Sequence, residues 1–345
     1  MTSVPVDARR DLTAVTAGIS APAGVRAYQL SSTRKLPLVL EPTVDGIVLA
    51  EWNLANREWV EQTLLIHGAI LFRNFHLPSP ADFERAAKSI YGELFGDYGD
   101  LPRNAAGEKI YESTPYPPDQ MILYHNESSH LPVFNKKISF FCVTPAKKGG
   151  CSPIFDTREA LRELPPEIVE KFRTKGLMYV RNFSQGVDPT WEEFFHTTDK
   201  AKVEETLRAA GSEFEWKADG GLRVINRTKG VARHPDTKEE VFFNQVQLHH
   251  IYCVDEETRE GLRALFDEED LPRNVYYGDG TPIPDEEMEI IGQTFERIAV
   301  RFQWQKGDLA MLDNILTTHA RDSFEGPRQI VVAMGQMIRA ADLPE

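Results

Sequence analysis

Short apolar runs rich in β-branched and aromatic residues lie toward both ends of this chain, and capped amphipathic stretches lie between them. No other feature restricts the fold as much, because a period-two run buries one face in a sheet while a 3.6-period stretch buries a stripe. Before the middle, Ala69 to Phe75 reads as a buried strand. Met121 to Tyr124 and Ile138 to Val143 read as two more, separated by a loop carrying Asn126, Ser128 and Pro132. Toward the end, Phe302-Gln303-Trp304 is expected to face Leu309 to Leu312 across Lys306-Gly307-Asp308. Gln329 to Met337, β-branched at Ile330, Val331 and Val332, reads as the last strand.

The helical signals are local and chemical. Gly68 can end a helix over Arg57 to His67, and Ser79-Pro80 supplies an N-cap hydroxyl and a first-turn proline to a helix through Leu94. Asp156 can cap Arg158 to Leu164, Pro165-Pro166 opens a helix that Gly176 ends, and Asp199 can cap one running to Ala210. One hairpin interrupts them, Phe214 to Lys217 against Leu222 to Asn226. Strands around a helical middle suit a β-sandwich or jelly roll with inserted helices, mainly β and α+β overall. Residues 1–25 read as a flexible leader and 26–345 as a single domain with a helical insertion at about 156–300. Hydrophobic content of 41% and charged content of 27% permit a packed core along most of that length.

A formal net charge of -14 argues against a nucleic-acid partner, since phosphate recognition draws on clustered Lys and Arg. No apolar run approaches the roughly 18 residues of a membrane span, and the first 25 residues form no secretory apolar region, so a cytoplasmic location is expected. Cys142, Cys151 and Cys253 lack close metal-ligand spacing and read as reduced, buried thiols. The acidic runs Asp267 to Asp270 and Asp285 to Glu287 read as solvated helix ends.

His125 and Glu127, two apart at a strand end, project to one side and can bind one ion. The best remote third ligand is His319, beyond the Asp313-Asn314 turn. Two imidazoles and a carboxylate on one face leave open positions, the arrangement of non-haem iron(II) oxygenases. His130, His249 and His250 are rivals; a change of face is expected by His130, and the pair is read as one exposed and one core imidazole. His234, before Pro235, is expected to be solvated. A zinc hydrolase is disfavoured because no His-Glu-x-x-His or comparable spacing occurs.

Several ordered segments carry a resemblance: His67 to Phe75, Tyr124-His125-Asn126-Glu127-Ser128, Gly149 to Asp156, Phe243-Asn244-Gln245, Tyr277 to Gly280, Trp304 to Asp308, Asp313-Asn314, His319-Ala320-Arg321 and Gly326-Pro327-Arg328. Through them the chain resembles the taurine dioxygenase (TauD/TfdA) family over roughly residues 35 to 340, and within it the SyrP-like branch that modifies amino-acid building blocks of nonribosomal peptides. The resemblance implies a double-stranded β-helix core (jelly roll, cupin-like), with His125, Glu127 and His319 as iron(II) ligands and 2-oxoglutarate and dioxygen as co-substrates. Many relatives have Asp where Glu127 stands, whereas clavaminate synthase and the arginine 3-hydroxylases have Glu; Ala320 stands where many have Gly. Related halogenases lack the carboxylate, so Glu127 disfavours halogenation. Arg328 is the implied anchor for the distal carboxylate of 2-oxoglutarate, Ser152 replaces the usual Thr, and Arg321 is a second cofactor-binding candidate. Tyr124, Asn126, Ser128, Phe134, Asn244 and Gln245 are candidates for the substrate pocket. The implied reaction is hydroxylation of an unactivated C–H in an amino acid or derivative, free or on a peptidyl carrier protein, in natural-product biosynthesis. Desaturation or cyclisation with the same oxidant, or a non-catalytic metal-binding jelly roll, are the other readings.

Overall fold

A computed structural model of the chain describes residues 20–95, 109–112, 116–183 and 189–345. Most of the expected leader lies outside these residues, and Val25 already belongs to a strand, Val25–Gln29, paired with Leu38–Pro42. These two are the edge of a seven-stranded sheet that continues through Ala69–Phe72, Leu309–Asp313, Val133–Thr144, Gln329–Arg339 and Tyr111–Glu112. All its pairings are antiparallel except that of Leu38–Pro42 with Ala69–Phe72. Alternation along each strand divides the core into two layers. Ile70, Phe72, Leu309, Met311 and Val331 pack with Leu64, Phe83 and Ile90 of the flanking helices. Ala69, Leu71, Ala310, Leu312, Ile330 and Val332 pack on the other side with Ile154, Phe302 and Trp304. With both faces covered, Leu309–Asp313 is buried at every position, which explains its unbroken apolar start. Each such side chain contributes about 1.5–3 kcal/mol on leaving water.

The helices follow their signals. Arg57–His67 ends at Gly68, Pro80–Tyr91 is capped by Ser79, and Thr157–Glu163 by Asp156. Pro166–Lys175 ends at Gly176, and Lys200–Ala210 is capped by Asp199. The region at about 156–300 is nevertheless not helical alone. It holds a four-stranded antiparallel sheet in the order Glu213–Trp216, Leu222–Thr228, Leu177–Phe183, Arg273–Tyr277. Its hairpin was legible, whereas the pairing of Leu177–Phe183 with Arg273–Tyr277 joins segments about 90 residues apart, which no local signal reports.

The expected hairpin of Phe302 to Trp304 with Leu309 to Leu312 does not form. Both edges of Leu309–Asp313 are occupied, by Ala69–Phe72 and Val133–Thr144. Phe302 and Trp304 instead bury their rings against each other, with centroids 4.9 Å apart.

A smaller sheet carries the candidate site. Thr317–Arg321 is its central strand, between Ile122–His125 and Ile154–Asp156. No helix among the described residues is long and apolar enough to cross a membrane.

Candidate metal centre and co-substrate cleft

The small sheet's register sets His319 directly opposite His125, with ring centroids 4.3 Å apart. Glu127, two residues on, returns to the same side. Its Oε2 lies 3.9 Å from His125 Nε2 and 3.8 Å from His319 Nε2. Ligand atoms of all three lie within 4.8 Å of one another. Two bonds of about 2.0–2.2 Å to a common ion span at most ~4.4 Å, so both imidazole–carboxylate separations fit a shared divalent metal. His125 gives its Nδ1 proton to the carbonyl of Leu123 at 2.7 Å, which leaves the Nε2 lone pair toward Glu127. Burial, and then the neighbouring His125, hold His319 well below the ordinary imidazole range, so it stays an unprotonated donor.

Two asparagines lock these segments together. The side chain of Asn314 accepts from the backbone N–H of Glu127 at 2.7 Å and donates to the carbonyls of Glu127 at 2.9 Å and Asn135 at 2.7 Å. The amide of Asn126 donates to the carbonyls of Asn314 at 2.6 Å and Thr317 at 3.2 Å, and its oxygen accepts from Thr318. The position of Glu127 is therefore tied to the strand that holds His319. Asp313 fixes the start of that link by accepting from the N–H groups of Ile315 and Leu316. Its other oxygen meets Lys137 at 2.5 Å and His234 at 3.2 Å. His234, expected to be solvated, is fully buried because Asp313 offers it a partner that outweighs the loss of water.

The three side chains open into a cleft whose wall also includes Ser152, Arg321, Arg328, Phe140 and Ile330. Arg328 donates from Nε to the carbonyl of Gly150 at 3.1 Å. Burial and then Arg321 pull its pKa down to about 10, leaving it charged near neutrality. Gly150 has φ +68°, and a Cβ there would stand 2.8 Å from Ala146 and 3.1 Å from Arg328, so only glycine fits this approach. Ser152 Oγ accepts from Trp304 Nε1 at 3.1 Å and keeps its own proton to donate. A hydroxyl and a guanidinium, groups suited to a carboxylate, thus line the same cleft as His125, Glu127 and His319.

Comparison with known proteins agrees with this geometry. The family model described as taurine catabolism dioxygenase TauD, TfdA family matches residues 32–334. The chain belongs to the TauD/TfdA family. It is accordingly a 2-oxoglutarate-dependent dioxygenase, with iron(II), 2-oxoglutarate and dioxygen as its cofactor and co-substrates. It is 35% identical over 276 residues to the dapdiamide synthesis protein DdaC of Enterobacter agglomerans, covering 80% of this chain and 84% of that one. A clavaminate synthase-like protein of Arabidopsis thaliana is 26% identical over 321 residues, 88% of this chain and 94% of that one. Among solved structures, PvcB, described as an Fe, alpha-ketoglutarate dependent oxygenase from an isonitrile synthetic pathway, shares the fold. It matches with a TM-score of 0.56 and 14% identity over 95% of this chain and 98% of that one.

The other residues singled out in this TauD/TfdA chain have varied surroundings. Tyr124 points away from the metal, its ring against Phe155 and Phe295 and its hydroxyl on Glu296 at 2.9 Å. Phe134 packs in the core against Phe243. Ser128 is buried in the left-handed backbone region at φ 57°. Asn244 accepts from Asn126 through its backbone carbonyl, and Gln245 donates its side-chain amide to the carbonyl of Asn126 at 2.8 Å. Arg321 lines the cleft, but its guanidinium donates to the carbonyls of Tyr116, Pro117 and Gln120 and so secures that segment at the rim. Sequence reasoning gave no role to Lys137, Arg301 or Tyr179, and weighed His130 and His249, whose rings meet that of Tyr179, only as rival ligands. Arg301 joins Glu296 to Asp322 next to Tyr124, a link between distant segments without a local motif.

Proposed function

We propose that this oxygenase hydroxylates an unactivated C–H bond of an amino acid or amino-acid derivative, free or carried on a peptidyl carrier protein, in natural-product biosynthesis. The observation that carries the reading is the single cleft in which His125, Glu127 and His319 meet Ser152 and Arg328. The likeness to a dapdiamide synthesis protein supports the substrate class. Iron(II) bound by the three ligands supplies the oxidising chemistry, in which decarboxylation of 2-oxoglutarate to succinate drives oxidation of the substrate. Arg328 neutralises the distal carboxylate of 2-oxoglutarate, and the Ser152 hydroxyl donates to it. Ile330, Val332 and Phe140 keep water from that end of the cleft. Desaturation or cyclisation would draw on the same residues with the substrate held differently.

The same reading takes the seven-stranded and three-stranded sheets as the two walls of a double-stranded β-helix, and residues 26–345 as one domain. The location is cytoplasmic, in keeping with three unpaired thiols. Turnover under ¹⁸O₂ tests the function. One labelled oxygen is expected in succinate and one in a hydroxylated product when amino acids and their derivatives are supplied. Failure of the folded, iron-loaded enzyme to consume 2-oxoglutarate with any of them would overturn the proposal.

A further inference from the structure

The stretch Phe302 to Trp304, which finds no sheet edge to join, directs its polar groups to the residues behind the cleft. Trp304 and Ser152 are both buried, and the indole Nε1–H donates to Ser152 Oγ at 3.1 Å. The stretch is held on either side of that contact. Gln303 donates its side-chain amide to Cys151 Sγ at 3.0 Å, and its carbonyl accepts from Arg73 at 2.9 Å. Asp308 accepts from the backbone N–H of Gln305 at 2.9 Å and pairs with the same Arg73 at 2.7 Å. The indole ring packs on Phe302 and within the core layer that holds Ala310, Leu312 and Ile330. Trp304 therefore reaches Ser152 from a braced position, and only Ser152 of the two lines the cleft.

The donor rules of the two groups fix what this contact does. An indole N–H can only donate, whereas a hydroxyl has one proton and two lone pairs. One lone pair of Ser152 is thus committed to Trp304, and the hydroxyl proton cannot turn back along the same line. Among the described residues Ser152 Oγ has no second hydrogen-bond partner, so the proton is left for a group in the cleft. A serine hydroxyl without such a contact is free to sample its staggered positions. A carboxylate seated against Arg328 has only acceptors and needs a proton from residue 152. Restricting the hydroxyl beforehand lowers the ordering cost of meeting it. An oxo acid that ends in a methyl group cannot accept that proton and gains nothing.

We propose that Trp304 is a positioning residue for the co-substrate: by donating to Ser152 Oγ it holds that hydroxyl as a donor to the distal carboxylate, and so strengthens the preference for 2-oxoglutarate over oxo acids that lack one. This rests on the oxygenase reading above, with the distal carboxylate at Ser152 and Arg328. The test reads binding rather than turnover. Anaerobic enzyme loaded with iron(II) is titrated with 2-oxoglutarate and with pyruvate, which has the same chelating end but no distal carboxylate, and the visible absorption band reports both affinities. Trp304→Phe keeps a ring against Phe302 and loses the N–H. It should weaken 2-oxoglutarate about fivefold, the weight of one buried hydrogen bond, and pyruvate by less than about twofold. Ser152→Ala should weaken 2-oxoglutarate at least as much, and adding Trp304→Phe to it should change little further, because no hydroxyl remains to be held. Equal losses for the two acids, losses that add in the double variant, or an unchanged affinity for 2-oxoglutarate would each overturn the proposal. Should Trp304→Phe fail to fold, the wild type carries the test through its indole N–H resonances, with Zn(II) in place of iron. Of the five tryptophans, Trp52 and Trp59 belong to the helix-flanked core layer and Trp191 and Trp216 to a cluster around Phe183 and Leu207, whereas Trp304 is bonded to the cleft wall. Its signal should move with 2-oxoglutarate and not with pyruvate, and no indole signal that distinguishes the two would overturn the proposal. Absence of the absorption band in folded, iron-loaded wild type would instead sink the oxygenase reading.

Discussion

At the scale of single residues, the candidate site depends as much on two amides as on its three proposed ligands. That His125, Glu127 and His319 would converge was legible because strand parity and donor chemistry are local properties. Asn314 was visible only as part of a motif, since its partners Glu127 and Asn135 lie about 180 residues earlier. Asn314→Ala removes two hydrogen bonds to the backbone of Glu127 and one to that of Asn135, leaving Glu127 present but unsupported. Metal affinity should fall about 10- to 100-fold, the range seen when groups that orient ligands are lost. Titration of the variant with Co(II), followed by its visible spectrum, reads this directly. Unchanged affinity and spectrum would mean that the loop holds Glu127 without Asn314. Tyr124 makes the converse point: adjacency to a ligand in sequence places it on the opposite face, where it serves the core.

At the scale of elements, caps and stops were read correctly because each acts within a few residues, as at Ser79, Asp156 and Gly176. What failed was pairing. Phe302 to Trp304 had the composition of a strand but no free edge to join, and His234 had the look of a loop residue but a buried partner in Asp313. The Lys137–Asp313–His234 group binds the long core strands to the loop that leads into the His319 strand. Burial alone would raise the Asp313 carboxyl, but Lys137 and then His234 hold it below the ordinary range. A carboxylate depressed on folding contributes stability that is complete above its unfolded value near pH 3.9 and disappears as the pH falls through the folded value. Asp313→Asn should cost about 3–5 kcal/mol at pH 7, because it leaves Lys137 buried without its countercharge. Its thermal stability should also vary less below about pH 4 than that of the wild type. Melting curves from pH 3 to 7 check both, and parallel profiles would show that another carboxylate governs acid stability.

At the scale of the whole molecule, strands toward both ends of the chain with helices between them were legible, while the four-stranded sheet among those helices was not. Its strands Leu177–Phe183 and Arg273–Tyr277 pair across about 90 residues of chain, so their register is a product of folding rather than of any local pattern. That sheet brings Tyr179 to the hydroxyl contact with Gln245 and thereby to the metal side of the protein. The co-substrate end is assembled just as remotely, with Ser152 and Arg328 arriving from opposite halves of the chain. On the proposed function this cleft is one functional unit. Its most direct test is anaerobic reconstitution with iron(II) and 2-oxoglutarate, recording the visible metal-to-ligand absorption band for wild type, Glu127→Ala and Arg328→Ala. A band in the wild type that weakens in both variants is the predicted result; no band in folded, iron-loaded wild type would contradict the assignment of His125, Glu127, His319 and Arg328 to one catalytic centre.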